Sequence, residues 1–234
     1  MKNLRDITYE ELVRELGSSG EKPYRAMQIY RWLYKKGAVS FDEMTDISEG
    51  LRQRLKERFS LRLMDVVAQR ISSDGTMKFA LRLHDGLTIE FVIIPGPKRT
   101  TLCISSQAGC ALGCAFCMTG EMGFERNLTL SEFSAQVLRA KEIYKDQGEI
   151  TNVVLMGMGE PLLNIDEVLK FLKILVDHNG FSIAPRRITV STAGIVPAFE
   201  KLRQCPAVNL AISLNATTDE VRSRIMHINK KYPL

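Results

Sequence analysis

Thr151-Asn152-Val153-Val154-Leu155-Met156 is a short apolar run that breaks at Gly157 and passes through Gly159-Glu160 into Pro161. It is too short for a buried helix and rich in β-branched residues, so it reads as a buried strand. Helical periodicity lies on both sides of it. Thr129-Leu130-Ser131-Glu132 is a capping box opening a helix to about Lys145, and Ile165 to His178 is a second helix. The alternation continues with a strand over Arg187–Thr192, a helix over Val196–Gln204, a strand over Val208–Leu214 and a helix from Thr218. Strands without polar alternation, separated by helices, predict a parallel sheet covered on both faces. Three or four such units fit before Leu234, whereas a closed barrel needs eight. The expected core is therefore an incomplete α/β partial barrel of repeated βα units.

Toward the N-terminus the period falls to two. Met77-Lys-Phe-Ala-Leu-Arg-Leu83 alternates, and Asp74-Gly75 and Asp85-Gly86 are hairpin turns between apolar runs. Four antiparallel strands are expected near 63–71, 76–83, 87–94 and 100–104. Before them the chain reads as helices. Thr8-Tyr-Glu-Glu11 and Ser40-Phe-Asp-Glu43 are capping boxes, Pro23 precedes a helix from Tyr24 to Lys36, and Ser48 caps another. The expected organisation is a helical accessory domain over 1–60, an antiparallel β extension over 61–104 and the core over 105–234.

The 234 residues are 45% apolar and 25% charged, which excludes a disordered or low-complexity chain. No apolar run approaches the ~20 residues of a membrane helix, and no secretory signal opens the chain. A net charge of +5, spread along the chain, permits a polyanionic partner without requiring one. A cytoplasmic protein with no membrane partner is expected.

Cysteine carries the chemistry. Of five, Cys110, Cys114 and Cys117 fall in the single loop Cys110-Ala-Leu-Gly-Cys114-Ala-Phe-Cys117, with Cys103 just upstream and Cys205 remote. Clustered thiols without an export signal point to metal or redox chemistry. Three thiolates on one loop can hold a [4Fe-4S] cluster by three corners and leave one open iron, as a catalytic site requires. Gly113 would allow the tight turn and Phe116 would shield the cluster. The competing reading is a structural zinc loop with Cys103 as the fourth ligand, which the six-residue gap fits poorly.

A C-x₃-C-x₂-C loop entering an α/β sheet resembles the radical S-adenosylmethionine superfamily. Longer strings resemble one family within it, the dual-specificity rRNA/tRNA adenine-C2 methyltransferases: Cys103-Ile-Ser-Ser-Gln-Ala-Gly-Cys110, Gly120-Glu-Met-Gly-Phe-Glu-Arg-Asn127, Met156-Gly-Met-Gly-Glu-Pro-Leu-Leu-Asn164, Ser191-Thr-Ala-Gly194 and Asn229-Lys-Lys-Tyr232. Tyr24-Arg-Ala-Met-Gln-Ile-Tyr-Arg-Trp-Leu-Tyr34 and Ser40-Phe-Asp-Glu-Met-Thr45 resemble that family's helical accessory domain.

The resemblance implies methylation of adenosine C2 in 23S rRNA and tRNA, through a methyl-cysteine intermediate and with S-adenosyl-L-methionine as cofactor. It implies an external, flavodoxin-like electron donor and a monomeric enzyme. Gly159 and Glu160 would bind the cofactor, the carboxylate accepting from its ammonium; the alternative is an acid capping a helix turn at Pro161. Ser191 and Ser213-Leu214-Asn215 would contact the ribose and the sulfonium side. Cys103 would take the C2 proton and resolve the covalent RNA adduct. Glu90 would be a proton acceptor if it faces a buried site, and an ordinary outward residue if it does not.

The chain also departs from the family pattern. The family's methyl-carrying cysteine lies beyond position 234, so a shortened gene product that binds a cluster and turns over poorly is expected. Asn215 stands where the family shows histidine, and His227 where it shows proline. Two other readings stay open: a radical enzyme acting at adenine C8 or on another substrate, and a non-catalytic, metal-stabilised RNA-binding module.

Overall fold

The computed structural model describes all 234 residues. The N-terminal part is helical. Strand β1 (Lys2–Asn3) leads to α1 (Tyr9–Ser18), α2 (Pro23–Tyr34) and α3 (Glu49–Arg58), and β2 (Phe59–Ser60) returns to pair in parallel with β1. The expected capping boxes form: Thr8 with Glu11 on α1, and Ser40 with Glu43 on a single 3₁₀ turn. Ser48 occupies the cap position of α3, but its side chain makes no capping bond.

Next come β3 (Asp65–Ile71), β4 (Met77–Arg82), β5 (Thr88–Pro95) and β6 (Thr100–Cys103), each antiparallel to its predecessor. The Asp-Gly pairs form the first two turns, with Gly75 and Gly86 both at positive φ. A short β7 (Gln107–Gly109), the cysteine loop with α4 (Met118–Glu121), and β8 (Phe124–Asn127) follow. The core then alternates α5 (Leu130–Tyr144), β9 (Asn152–Leu155), α6 (Ile165–Val176), β10 (Ile188–Thr192), α7 (Phe199–Leu202), β11 (Asn209–Ile212) and α8 (Asp219–Ile225).

The antiparallel strands and the core share one sheet. Its order is β11-β10-β9-β6-β5-β4-β3, and β6 is the seam, antiparallel to β5 and parallel to β9. The sheet stays open, with β11 and β3 as its edges. β3 is solvent-exposed along its whole length, and a bulge between Val66 and Ala68 interrupts its pairing.

The expectation of a sheet covered on both faces is corrected. Ile89, Phe91 and Ile93 of β5, Leu102 of β6, Val153 and Leu155 of β9 and Ile188 and Val190 of β10 are buried in one apolar cluster with α5 and α6. The alternating residues on these strands are only partly buried. On β9 Val154 at an uncovered position hides the alternation, whereas on β10 Thr189 and Ser191 alternate with buried Ile188 and Val190. A second correction concerns 196–204. Pro197 holds the first part as a 3₁₀ turn, and only the four residues of α7 are α-helical.

Arg5 ties the N-terminal segments to one another, and Asp6 ties them to the core. Arg5 is fully buried and donates to the carbonyls of Leu33, Ala38 and Leu61 at 3.3, 2.5 and 3.1 Å. Asp6 accepts from the backbone of Ser131 in the first turn of α5 at 2.9 Å.

Candidate cofactor and substrate site

The site lies at the C-terminal ends of β6, β9, β10 and β11, where an open α/β sheet gathers its ligand groups. The cysteine loop is clasped at its base by β7 and β8, neither of which was expected from the sequence. The Cys110 amide donates to the Gly123 carbonyl at 2.8 Å. A Cβ added to Gly109, at φ +77°, would lie 1.9 Å from that same oxygen, so only glycine permits the closure. Inside the loop Gly113 adopts positive φ, as the turn reading expected. Phe116, expected to shield the thiols, is 55% exposed.

Burial pushes the Cys110 thiol up, and Cys117 and Glu160 add to the shift by like-charge repulsion. Cys114 is likewise raised, first by burial and then by Cys110, Cys117 and Glu160. No lysine or arginine acts on either thiol. The Cys110 and Cys114 thiols and the Glu160 carboxyl are thus held toward their protonated forms, and an added cationic centre would favour their release of protons as ligands. No three His, Cys, Asp or Glu side chains converge on a point the size of one metal ion. A four-iron cluster places its corners on separate irons and suits a wider spread.

Glu160 follows β9 and is buried. Its Oε1 accepts from the Leu162 amide at 3.0 Å, and its Oε2 from the Ala193 amide at 2.8 Å, beyond the end of β10. Burial raises its pKa, and these amides with the Thr192 hydroxyl hold it partly down. The carboxylate therefore caps the Pro161–Asn164 turn and also faces the thiol loop. Its own amide donates to Gln107 Oε1 at 2.8 Å. Gly159 makes this approach possible: a Cβ there would lie 2.5 Å from the Gln107 Cβ.

Ser191 and Ser213 meet across β10 and the end of β11, with their hydroxyl oxygens 3.4 Å apart. Leu214 is exposed next to them, and Asn215 turns the chain with φ of 59°. Cys103 ends β6, with the Met156 backbone hydrogen-bonded to its thiol. Burial pushes that thiol up.

Cys103 pairs in register with Val92, and Val92 with Lys78, so the three share the uncovered face. Glu90, two residues along β5 on that face, is ion-paired to Lys78 at 2.8 Å. Its side chain is 41% exposed, so Glu90 does not sit in a buried setting. Cys205 lies just after α7, its thiol donating to the Pro206 carbonyl at 3.1 Å.

Sequence reading missed the buried polar groups behind the site. Gln107 and Glu160 are linked as described, and Asn164 donates to the carbonyls of Ser106 and Leu128 at 3.0 and 2.8 Å. Arg222 on α8 is buried as well. Gln107 and Asn164 lie inside strings read only for their resemblance and Arg222 in a polar stretch, so no periodicity marks them. His227, exposed, lies over Gly113 of the loop.

Known proteins share this arrangement. The profile of the radical SAM superfamily matches residues 104–232, and that of the ribosomal RNA large subunit methyltransferase N-terminal domain matches residues 2–61. The chain is 49% identical, over its full length, to the dual-specificity RNA methyltransferase RlmN of Geobacter sulfurreducens, of which it spans 64%. It is 50% identical over 92% of its length to the RlmN of Halorhodospira halophila, of which it spans 60%. The crystal structure of a radical SAM methyltransferase from Sphaerobacter thermophilus superposes with a TM-score of 0.92 at 42% identity, covering all of this chain and 70% of that one.

Proposed function

This chain belongs to the radical SAM superfamily, among the RlmN-type methyltransferases, and on that premise we propose that its site serves methyl transfer to C2 of an adenosine in 23S rRNA and tRNA. The observation that carries the reading is the placing of three cysteines on one glycine-closed loop at the strand ends, with buried Glu160 acting on Cys110 and Cys114. Cys110, Cys114 and Cys117 would hold a [4Fe-4S] cluster and leave one iron for S-adenosyl-L-methionine. Cluster and cofactor together supply one-electron cleavage of the sulfonium, with the electron coming from an external, flavodoxin-like donor.

The chain's own groups orient and protect that chemistry. Gly159 lets the backbone approach closely, and Glu160 offers its remaining acceptor capacity to an ammonium group. Ser191 and Ser213 form a hydroxyl pair for a ribose, flanked by Leu214 and Asn215. Cys103, protonated at neutral pH because it is buried, is the thiol set to exchange a proton at adenine C2. Glu90, which the family resemblance makes a proton acceptor, stands on the same face, ion-paired to Lys78. Arg70 pairs in register with Lys78, and Arg82 alternates onto that face as well, so a short row of cations flanks Cys103. Such a row suits the phosphates beside a target nucleotide. Like charges directly opposite on a sheet are unfavourable unless a polyanion lies over them.

Anaerobic reconstitution with iron and sulfide tests the reading. The chain is expected to turn brown, to lose its cluster when any one of Cys110, Cys114 or Cys117 is changed to Ala, and to change its electron paramagnetic resonance spectrum when S-adenosyl-L-methionine is added. A colourless chain retaining a single zinc would overturn it. Mass analysis of treated RNA would separate C2 from C8 methylation.

A further inference from the structure

Arg222 has a buried guanidinium, only 3% exposed, with no carboxylate in direct contact. Its Nε donates to the Leu214 carbonyl at 3.0 Å. Its Nη2 donates to the carbonyls of Ala193 at 2.7 Å and Ser213 at 3.3 Å, and its Nη1 to Asn229 Oδ1 at 2.6 Å. Those three carbonyls belong to the turns that follow β10 and β11. Ala193 is also the residue whose amide holds Glu160. Ser213 carries the hydroxyl that meets Ser191, and its amide donates to Thr192.

The other end of α8 reaches the cysteine loop. The Ile225 carbonyl accepts from the Ala115 amide at 2.9 Å, between Cys114 and Cys117. Arg222 closes that end too, its carbonyl accepting from the Met226 amide at 2.7 Å. One side chain and one short helix therefore connect the two strand ends to the thiol loop.

We propose that Arg222 is a positioning residue that fixes the spacing between the Ser191–Ser213 pair, Glu160 and the cysteine loop. It does not itself meet a ligand, since four of its five N–H groups are spent on the protein. The task suits arginine because a planar fork can reach carbonyls on separate strands at once, whereas a lysine ammonium supplies three donors from a single point. The inference rests on reading this face as the cofactor site, but its first test does not.

Amide hydrogen exchange on the full chain without cofactor reads the connection directly. In Arg222→Met the amides of Ala115, Ala193 and Ser213 are expected to exchange on the order of 10- to 100-fold faster, with those of α5 and α6 unchanged. Arg222→Lys should fall between Arg222→Met and the unaltered chain. Arg224→Met, on the exposed side of α8, should change none of them. If Arg222→Met does not fold, Arg222→Lys and Asn229→Ala carry the test by the same readout. Unchanged protection at the three amides, or an equal rise at every amide in the chain, would overturn the proposal.

After reconstitution, Arg222→Lys is expected to keep its iron content but to show an altered resonance response to S-adenosyl-L-methionine. An unchanged response would count against the proposal. An unaltered chain that takes up no iron would refute the proposed function, leaving the exchange data to decide the role of Arg222.

Discussion

Cys103 lies on β6 between β5 and β9, its side chain on the partly buried face of the sheet and the Met156 backbone hydrogen-bonded to its sulfur. Burial raises its pKa, so the folded chain keeps this thiol protonated at a pH where an unfolded chain has begun to release it. Its contribution to stability is therefore complete below the ordinary thiol pKa and is lost as pH climbs through the raised value. Iodoacetamide labelling followed by peptide mass analysis is expected to show alkylation of Cys103 rising only above the usual thiol range. A profile centred at or below that range would contradict the burial account. At this scale the sequence was half legible. The three loop thiols share one loop, Cys103 ends β6, and Ser191 and Ser213 meet at neighbouring strand ends. The exposure and ion pair of Glu90 were not readable, because they depend on which face of β5 the helices cover. Two partners of Glu160, Gln107 and Ala193, come from more than thirty positions away.

Local chemistry made most elements legible. Three capping boxes and two Asp-Gly turns form as expected because each is a contact between near neighbours. The box at Thr129 also anchors a charged knot. Glu132 accepts at its carboxylate from the Thr129 amide and from Arg126, and Arg126 in turn reaches Asp85 in the β4–β5 turn. Thr129→Ala is expected to cost about 1 kcal/mol in urea unfolding, since only one capping bond is removed while the knot survives. A loss several times larger would mean that the cap and the knot act as one unit. What escaped the sequence were β7 and β8. Strands of three and four residues leave no period to detect, and their pairing is forced by the glycines at the loop's base.

The assembly of the whole molecule turns on a few buried groups that span distant segments. Arg5 gathers carbonyls from α2, from the turn after it and from the chain beyond β2. Its burial is costly enough to lower its pKa to about 10. Edge-to-face rings run beside it from Tyr9 through Tyr30 and Tyr34 to Phe181, crossing from the accessory helices into the core. Arg5→Met would leave three buried carbonyls without a donor, and a loss of about 3–5 kcal/mol in denaturant unfolding is expected. A loss below about 1 kcal/mol would show that the rings alone hold the helices in place. The order of helices, hairpins and βα units was readable along the chain. The single mixed sheet was not, because nothing local tells β6 to pair with β9 across the whole of α5.

The free margin of β3 sets a condition on handling this protein. An edge of seven residues, whose main-chain groups turned away from β4 are unclaimed and which exposes Val66, Val67 and Ile71, offers a ready template to any stray extended peptide. The bulge at Val66–Ala68 kinks that template, and Arg70 puts a charge beside it. Colloidal behaviour at high concentration is thus entrusted to one kink and one guanidinium, and straightening the first would invite fibrils before it disturbed the chemistry at the far end of the sheet.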